Sequence, residues 1–332
     1  ANTTGSNNVA LGYQALDANT TAHQNIAVGY LSLTSNTTGT FNVASGSQTL
    51  KANTTGNDNT ALGFKALQAN TTASNNTAVG SAALLANTTG TQNTAVGANA
   101  LDANTTGLNI TAIGYNAGTS VTTGSSNTFI GADAGQATTV GNTNIAIGRE
   151  SLYTNVGGDR NVAIGHHALY FMNPSGNNAD TNNTAIGHTA LQHCSTGHSN
   201  TAIGGQALNS NTSASSNTAV GYQSLTASTT GKRNTAVGTN AGDSITTGDN
   251  NLSLGFQADP SSATADNEVT LGNSSIATLR CNVQTISSLS DARDKTNVID
   301  LPEGLDFITK LRPVKFEWAT RDGNGKDGSY EH

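Results

Sequence analysis

Residues 59–67 read NTALGFKAL, and residues 76–84, seventeen positions later, read NTAVGSAAL. The same pattern, N-x-A-[VIL]-G-x-x-[AS]-L, recurs along most of the chain, and its glycine falls at sixteen positions from Gly12 to Gly272. Every step between these glycines is 17 residues except one step of 22. We therefore predict sixteen structural repeats with a five-residue insertion near residues 170–174.

The repeat favours strands over helices. A glycine fixed in every repeat would cost a helix about 1 kcal/mol each time, whereas Val, Ile and Thr bounded by Gly and Asn are typical of short strands. Seventeen residues are enough for one coil made of short strands and turns. We predict an all-β fold, a parallel β-solenoid of sixteen 17-residue coils in which equivalent residues stack about 4.8 Å apart.

Stacking gives each position of the repeat a column along the rod. We expect the alanine column to allow close backbone approach, the Val/Ile/Leu column just before the glycine to fill a thin core, and the asparagine column to form a side-chain ladder. One coil carries few apolar side chains for 17 ordered residues. Two further columns are apolar: the leucine column four positions after the glycine, and the aromatic-rich column one position after the glycine (Tyr13, Phe64, Tyr222). We therefore expect these two columns to join chains along the rod.

Composition and charge exclude several function classes. The net charge is −7 and there is no Lys/Arg cluster of the kind that a nucleic-acid surface needs. No apolar run approaches the roughly 20 residues of a membrane span. Cys194 and Cys281 form neither a disulfide framework nor a zinc signature. We expect no cofactor and no metal, and with only 12 acidic residues before Ser290 we do not expect a polysaccharide-cleaving carboxylate pair.

The repeat pattern over residues 8–276 resembles the head repeats of trimeric autotransporter adhesins. Those repeats form left-handed parallel β-rolls that pack three together, and similar repeats occur in bacterial adhesins and in phage fibres. The resemblance implies that this solenoid is left-handed and homotrimeric.

Composition changes near Ser290. Residues 291–332 hold 16 charged residues, whereas residues 1–290 hold 19. A rise in charge density of this size indicates a domain boundary. We predict a repeat shaft over 1–276, a connector over 277–290 and a different domain over 291–332.

The boundary carries the motif SDARDKTNVI at residues 290–299. It resembles the start of the self-cleaving intramolecular chaperone found at the C-terminus of endosialidase tailspikes and many phage tail fibres. The resemblance implies an α+β chaperone domain, here only its first part, that cleaves itself once after trimerisation. It assigns Ser290 as nucleophile and Lys295 as base, with scission at Ser290–Asp291. From their spacing alone, both residues also fit an ordinary charged linker.

The insertion carries the most apolar loop of the repeat region. Tyr170, Phe171 and Met172 are candidates for receptor contact, because loops on rigid scaffolds often bind partners. The alternative is a neutral bulge. His166 and His188 occupy the same column in adjacent repeats, and we expect them to stack on the surface without a metal.

Three functions remain open at this stage. The first is a structural and adhesive tail fibre of a bacteriophage virion, a homotrimer that attaches to a host cell-surface receptor, either a glycan or an outer-membrane component. The second is a trimeric adhesin head on a bacterial cell surface. The third, an ice-binding solenoid, needs a flat Thr-x-Thr face, whereas the recurring Thr pair here falls in a turn. The only chemistry expected is a single self-cleavage.

Overall fold

A computed structural model describes residues 2–174 and 179–280, together with the backbone of residues 317–319 and 326–330. The chain divides into two compact units, Ala1–Ala277 and Thr278–His332. The first unit holds every repeat of the sequence pattern, and it is the unit whose side chains are described in detail.

Sixteen three-residue strands form one parallel sheet in which each strand pairs with the equivalent strand of the next coil, as Ala61 pairs with Ala78. The predicted parallel β-solenoid of 17-residue coils is confirmed, and no helix occurs in the described residues. The two-residue strands β10 and β12 form a separate parallel pair, and β19 and β20 form an antiparallel pair. The strands are β1 Val9–Leu11, β2 Ile26–Val28, β3 Val43–Ser45, β4 Thr60–Leu62, β5 Thr77–Val79, β6 Thr94–Val96, β7 Thr111–Ile113, β8 Thr128–Ile130, β9 Ile145–Ile147, β10 Gly158–Asp159, β11 Val162–Ile164, β12 Ala179–Asp180, β13 Thr184–Ile186, β14 Thr201–Ile203, β15 Thr218–Val220, β16 Thr235–Val237, β17 Leu252–Leu254, β18 Val269–Leu271, β19 Glu317–Ala319 and β20 Lys326–Tyr330.

Each strand ends at the repeat glycine, a position that no other residue fits. Gly80 has a φ of +138°, a conformation that L side chains rarely adopt. A Cβ atom on Gly80 would also lie 2.4 Å from the carbonyl oxygen of Gly97 in the next coil. Both the backbone turn and the close stacking of coils therefore require glycine at this position.

The interior is lined by the alanine and leucine columns. Ala61 at the centre of β4 is fully buried, while Leu62 after it is 49% exposed. The prediction that the Val/Ile/Leu column fills the core is wrong, because strand side chains alternate and the central alanine takes the inward position. The prediction for the leucine column is also wrong. Leu67 is fully buried because a φ of +52° turns the chain at that residue, so this column packs inside the coil and not between chains.

Two buried asparagine columns form ladders of hydrogen bonds, of which the sequence predicted the one before each strand but not the one in the turn. In the column before each strand, Asn59 donates from Nδ2 to the carbonyl oxygen of Ala73 at 2.9 Å, and its Oδ1 accepts from the backbone N–H of Asn76 at 3.1 Å. In the Asn-Thr-Thr turn, Asn70 Nδ2 donates to Asn53 Oδ1 at 2.8 Å and to Ala73 O at 3.0 Å. These bonds compensate the burial of polar side chains between coils.

The second ladder provides a matched test of this role. Asn70 and Asn211 occupy the same column and both are fully buried, but Asn211 lies between Cys194 and Ser228 in that column. Within the described residues neither polar side-chain atom of Asn211 has a hydrogen-bond partner. We expect Asn70→Ala to lower the free energy of unfolding by about 1–3 kcal/mol, because it leaves buried partners unpaired. Asn211→Ala removes no bond and should leave stability unchanged or raise it. Urea unfolding of both variants measures the difference, and equal losses would contradict the ladder.

One coil has a large side chain in the interior, and smaller residues nearby compensate for its volume. Phe129 replaces the inward alanine of β8, and it is fully buried. Glycine replaces the inward leucine that follows β8 in the same coil, at Gly135, and the one that follows β7 in the preceding coil, at Gly118. A Cβ atom on Gly135 would lie 2.3 Å from two carbons of the Phe129 ring, and one on Gly118 would lie 2.8 Å from the ring. The two glycines therefore make room for a single large side chain.

Exchange of these side chains tests the compensation. Leucine is compatible with the backbone of Gly135, since Leu152 in the same column has a φ of +52°. We expect Phe129→Ala to cost about 3–5 kcal/mol through the cavity that it leaves, and Gly135→Leu alone to destabilise through its clash with the ring. Combining the two should recover part of the loss, measured by the midpoint of urea unfolding. A double variant that is no more stable than Phe129→Ala would refute this packing.

Candidate functional site

An apolar stripe runs along the outside of the solenoid. It comprises three columns, at the two outward positions of each strand and at the position after the repeat glycine, and we call it the outer stripe. Eighteen of the 23 exposed large apolar side chains among the described residues belong to it, from Val9 to Leu271. Of its aromatic members, Tyr13 and Tyr30 stack with ring centroids 5.6 Å apart. Arg149 is the only Asp, Glu, Lys or Arg in these columns, so the surface is long and almost free of charge, with threonines such as Thr128 among its apolar side chains.

A second surface feature is the aromatic cluster, formed by Tyr153, Tyr170, Phe171 and His193 at the fifth and sixth positions after the repeat glycine. Tyr153 stacks on Tyr170 with centroids 4.8 Å apart, and Phe171 stacks on His193 at 5.5 Å. Tyr170 and Phe171 meet edge to face at 4.6 Å. No other coil has an aromatic residue at these two positions. The cluster is therefore a local departure from the repeat, and Phe171 is 43% exposed there.

The structure corrects two details of the predicted contact loop. Met172 is fully buried in the column that holds Asn70, so it drops out of the receptor-contact prediction, while Tyr170 and Phe171 remain in it. Asn173 still makes a regular inter-coil bond, from its N–H to Ser195 O at 2.9 Å. The five extra residues therefore follow Asn173, slightly later than the sequence suggested. Residues 175–178 of this loop lie outside the described residues.

Beside the aromatic cluster lies a group of histidines. His166 stacks on His188 at 5.4 Å, as predicted, and on His167 at 3.8 Å. His167 Nε2 lies 2.6 Å from Glu150 Oε2, and Arg149 also pairs with Glu150. Burial raises the pKa of Glu150, but the hydrogen bonds from His167 and Arg149 outweigh it and leave the pKa lowered. Burial, followed by the positive charges of His167, His188 and Arg149, lowers the pKa of His166.

These shifts predict loss of stability on acidification. When folding lowers the pKa of a histidine, the neutral side chain favours the folded state. This contribution is complete only above the pKa that the histidine has in the unfolded chain, about 6.5, and it is lost as the pH falls. Glu150, with a lowered carboxyl pKa, acts in the same direction at lower pH. We expect the melting temperature to fall between pH about 7.5 and about 5.5, and His166→Asn to reduce that fall. His23→Asn, outside the group, is the control, and an unchanged pH dependence in His166→Asn would contradict the assignment.

In the described part of the chain, no group of three or more His, Cys, Asp or Glu side chains is placed to hold a metal ion. Cys194 is buried, and burial raises the pKa of its thiol to about 12. A thiol of this kind is protonated at neutral pH and is a poor nucleophile.

Sequence reasoning missed one acidic recess near the end of the solenoid. It has a volume of about 600 Å³ and is lined in part by Asp243 and Asp259. Burial raises the pKa of Asp243, a hydrogen bond from Asn240 opposes the rise, and the carboxylate of Asp259 adds to it. The two carboxylates fall at different positions of the repeat, five and four residues after the glycine, so the 17-residue period did not align them.

The predicted cleavage residues Ser290, Asp291 and Lys295 lie outside the described residues. Their roles as nucleophile, scissile-bond partner and base stay predictions from the motif.

The fold defines the class of this protein, a parallel β-solenoid built from sixteen stacked repeats. Residues 290–332 match a protein family described as the chaperone of endosialidase. This C-terminal segment is therefore similar to the family that the SDARDKTNVI motif predicted. No curated protein and no solved structure matches the chain. In the described residues there is no helix with the length and apolar character that a membrane crossing requires.

Proposed function

We propose that this chain forms the shaft of a homotrimeric bacteriophage tail fibre in the virion, which attaches to the host cell surface. Its C-terminal segment is proposed to act as an intramolecular chaperone that drives trimerisation and is then released by self-cleavage. The observation that carries this proposal is the combination of the outer stripe with the endosialidase-chaperone match at residues 290–332.

The outer stripe supports association between copies of this chain. A large number of exposed apolar side chains on one face marks an interaction site. A partner that covers it must be as long as the solenoid and must follow the same 17-residue coil period. A second copy of the chain meets both conditions, because its own stripe has the same spacing and almost no charge. The number three and the left-handed winding are inferred from the resemblance to adhesin head repeats.

The aromatic cluster supports attachment to the host. A regular column serves the packing of coils, so a group of side chains that breaks several columns at one place is better explained by contact with another molecule. Tyr170 and Phe171 present aromatic rings beside an insertion, and aromatic rings supply large apolar contact area together with polar groups. The proposed partner is a surface glycan or an outer-membrane component.

Self-cleavage by Ser290 and Lys295 is proposed on the strength of the motif. A serine hydroxyl needs a neighbouring base to become a nucleophile, and a lysine serves when its pKa is lowered by burial. In the proposed step a Ser290 hydroxyl oxygen attacks the carbonyl of a Ser290–Asp291 bond, Asp291 leaves as an amine with the proton that Lys295 took from the hydroxyl, and water hydrolyses the resulting ester. No cofactor is required, so the release of the chaperone would occur once per chain.

The bacterial adhesin head remains the second candidate, because its repeats share the pattern of this solenoid. The chaperone match favours the tail fibre. An ice-binding role receives no support from the Thr pair of the turn, since its first hydroxyl is engaged between coils: Thr88 Oγ1 donates to Thr105 O at 3.0 Å.

Light scattering tests the proposed assembly. The chain should have the mass of three copies, and Ile113→Asp in the outer stripe should shift it towards the monomer, because it would bury a charge between copies. Leu108→Asp is the matched control, since Leu108 is 41% exposed outside the stripe and Ile113 is 39% exposed within it. A monomeric parent chain, or equal dissociation of both variants, would overturn the proposal.

A denaturing gel of the same samples tests release of the chaperone. A fragment that begins at Asp291 and disappears in Ser290→Ala would support self-cleavage. An unchanged cut in that variant would remove Ser290 from the mechanism.

A further inference from the structure

A basic recess opens on the solenoid at the turn that precedes β15 and β16. It has a volume of about 410 Å³ and is lined by His198, Ser215, Ser216, Lys232, Arg233 and Asp249. Lys232 and Arg233 are the only adjacent pair of basic residues in the sequence, on a chain with a net charge of −7. Nothing in the packing of the coils requires two cations at this place.

The recess lies at one of the gaps in a column of hydrogen bonds that joins many of the coils. These bonds lie at the position eleven residues after the repeat glycine, where the backbone N–H of one coil donates to the side chain at the same position of the next coil. His198 N–H donates to Ser215 Oγ at 3.1 Å, and Lys232 N–H donates to Asp249 Oδ1 at 2.7 Å. Lys232 has no acceptor atom, so it cannot do the same for Ser215. The buried Ser215, at 8% exposure, therefore keeps a backbone donor for an acceptor from outside the chain.

Arg233 is held beside this donor. Its backbone N–H donates to Ser215 O at 3.2 Å, and a φ of +58° turns the chain at this residue. Its guanidinium lies 3.5 Å from Asp249 Oδ2, with 66% of its side chain still exposed. Since Asp249 also accepts from the Lys232 backbone N–H, its carboxylate holds the Arg233 guanidinium and the backbone of Lys232, and it pairs with only one of the two positive charges.

We propose that this recess binds an oxyanion, the carboxylate or phosphate of an acidic polysaccharide. Lys232 supplies a point charge, Arg233 a planar pair of donors suited to two oxygens, and Ser215 a backbone N–H. Such a set of donors recognises an anionic group and leaves the rest of a sugar chain in solvent. The inference deepens the proposed attachment function, on which it rests for the source of the ligand. The recess is separate from the aromatic cluster and is formed by a single chain.

Binding to three polymers tests the recess. The probes are alginate for carboxylates, polyphosphate for phosphates and dextran as the uncharged reference, measured by biolayer interferometry in about 0.15 M salt. We expect binding to alginate or polyphosphate but not to dextran, and a loss of affinity of about tenfold or more in the double variant Lys232→Gln, Arg233→Gln. The stronger of the two charged probes identifies the anion.

The matched control is Lys51→Gln with Lys65→Gln, which removes the same charge from another part of the solenoid. Equal loss in both double variants would show general charge attraction and overturn the site, as would the absence of binding to both charged polymers. Because one chain supplies the whole recess, the result does not depend on trimerisation. A failed light-scattering test and a failed polymer test are therefore distinguishable.

Discussion

The structure depends on the contact between the repeat glycine of one coil and that of the next. At Gly80 the neighbouring carbonyl oxygen lies only 2.4 Å from the position that a Cβ atom would take, and the backbone has a φ that other residues avoid. A glycine in this position fixes the place at which each coil ends its strand and turns. Because that place recurs every 17 residues, it brings alanine onto alanine, leucine onto leucine and asparagine onto asparagine. The columns therefore follow from the glycine and from the length of the repeat.

Regular and irregular positions of the repeat serve different purposes. The most regular columns, such as the inward alanine and the buried Asn ladder, hold coils together. Apart from Arg149, the outer stripe varies within apolar and uncharged polar residues and histidine, as a surface for another copy of the chain would require. The sharp departures are local: the aromatic cluster around Phe171 and the basic pair at Lys232. Each introduces side chains that the packing of coils does not need, and this is the physical basis for assigning contacts with other molecules to them.

The sequence was sufficient to predict the parallel solenoid, its period and the Asn ladder, because all three depend only on spacing. It was not sufficient to predict which apolar column faces inward. A three-residue strand is too short to display alternation, and the left-handed backbone of Leu67 cannot be recognised from residue type. The neighbouring carboxylates Asp243 and Asp259 were missed because they occupy different repeat positions. The similarity of the C-terminal segment to the chaperone family could be predicted because its motif is compact, and the family match at residues 290–332 agrees with that prediction.

The backbone of these turns has a consequence for how the rod comes apart. In a typical coil, three residues other than glycine have a positive φ, as Gln48, Leu50 and Asp58 do, and each such residue carries strain of about 1 kcal/mol or more. One coil alone would not hold these conformations, and only contact with coils above and below stabilises them. A coil in the middle loses two neighbours when it opens, whereas a terminal coil loses one. Unwinding should therefore start at a coil with a neighbour on one side only, such as the one that ends the repeat at Gly272, and advance along the solenoid from there.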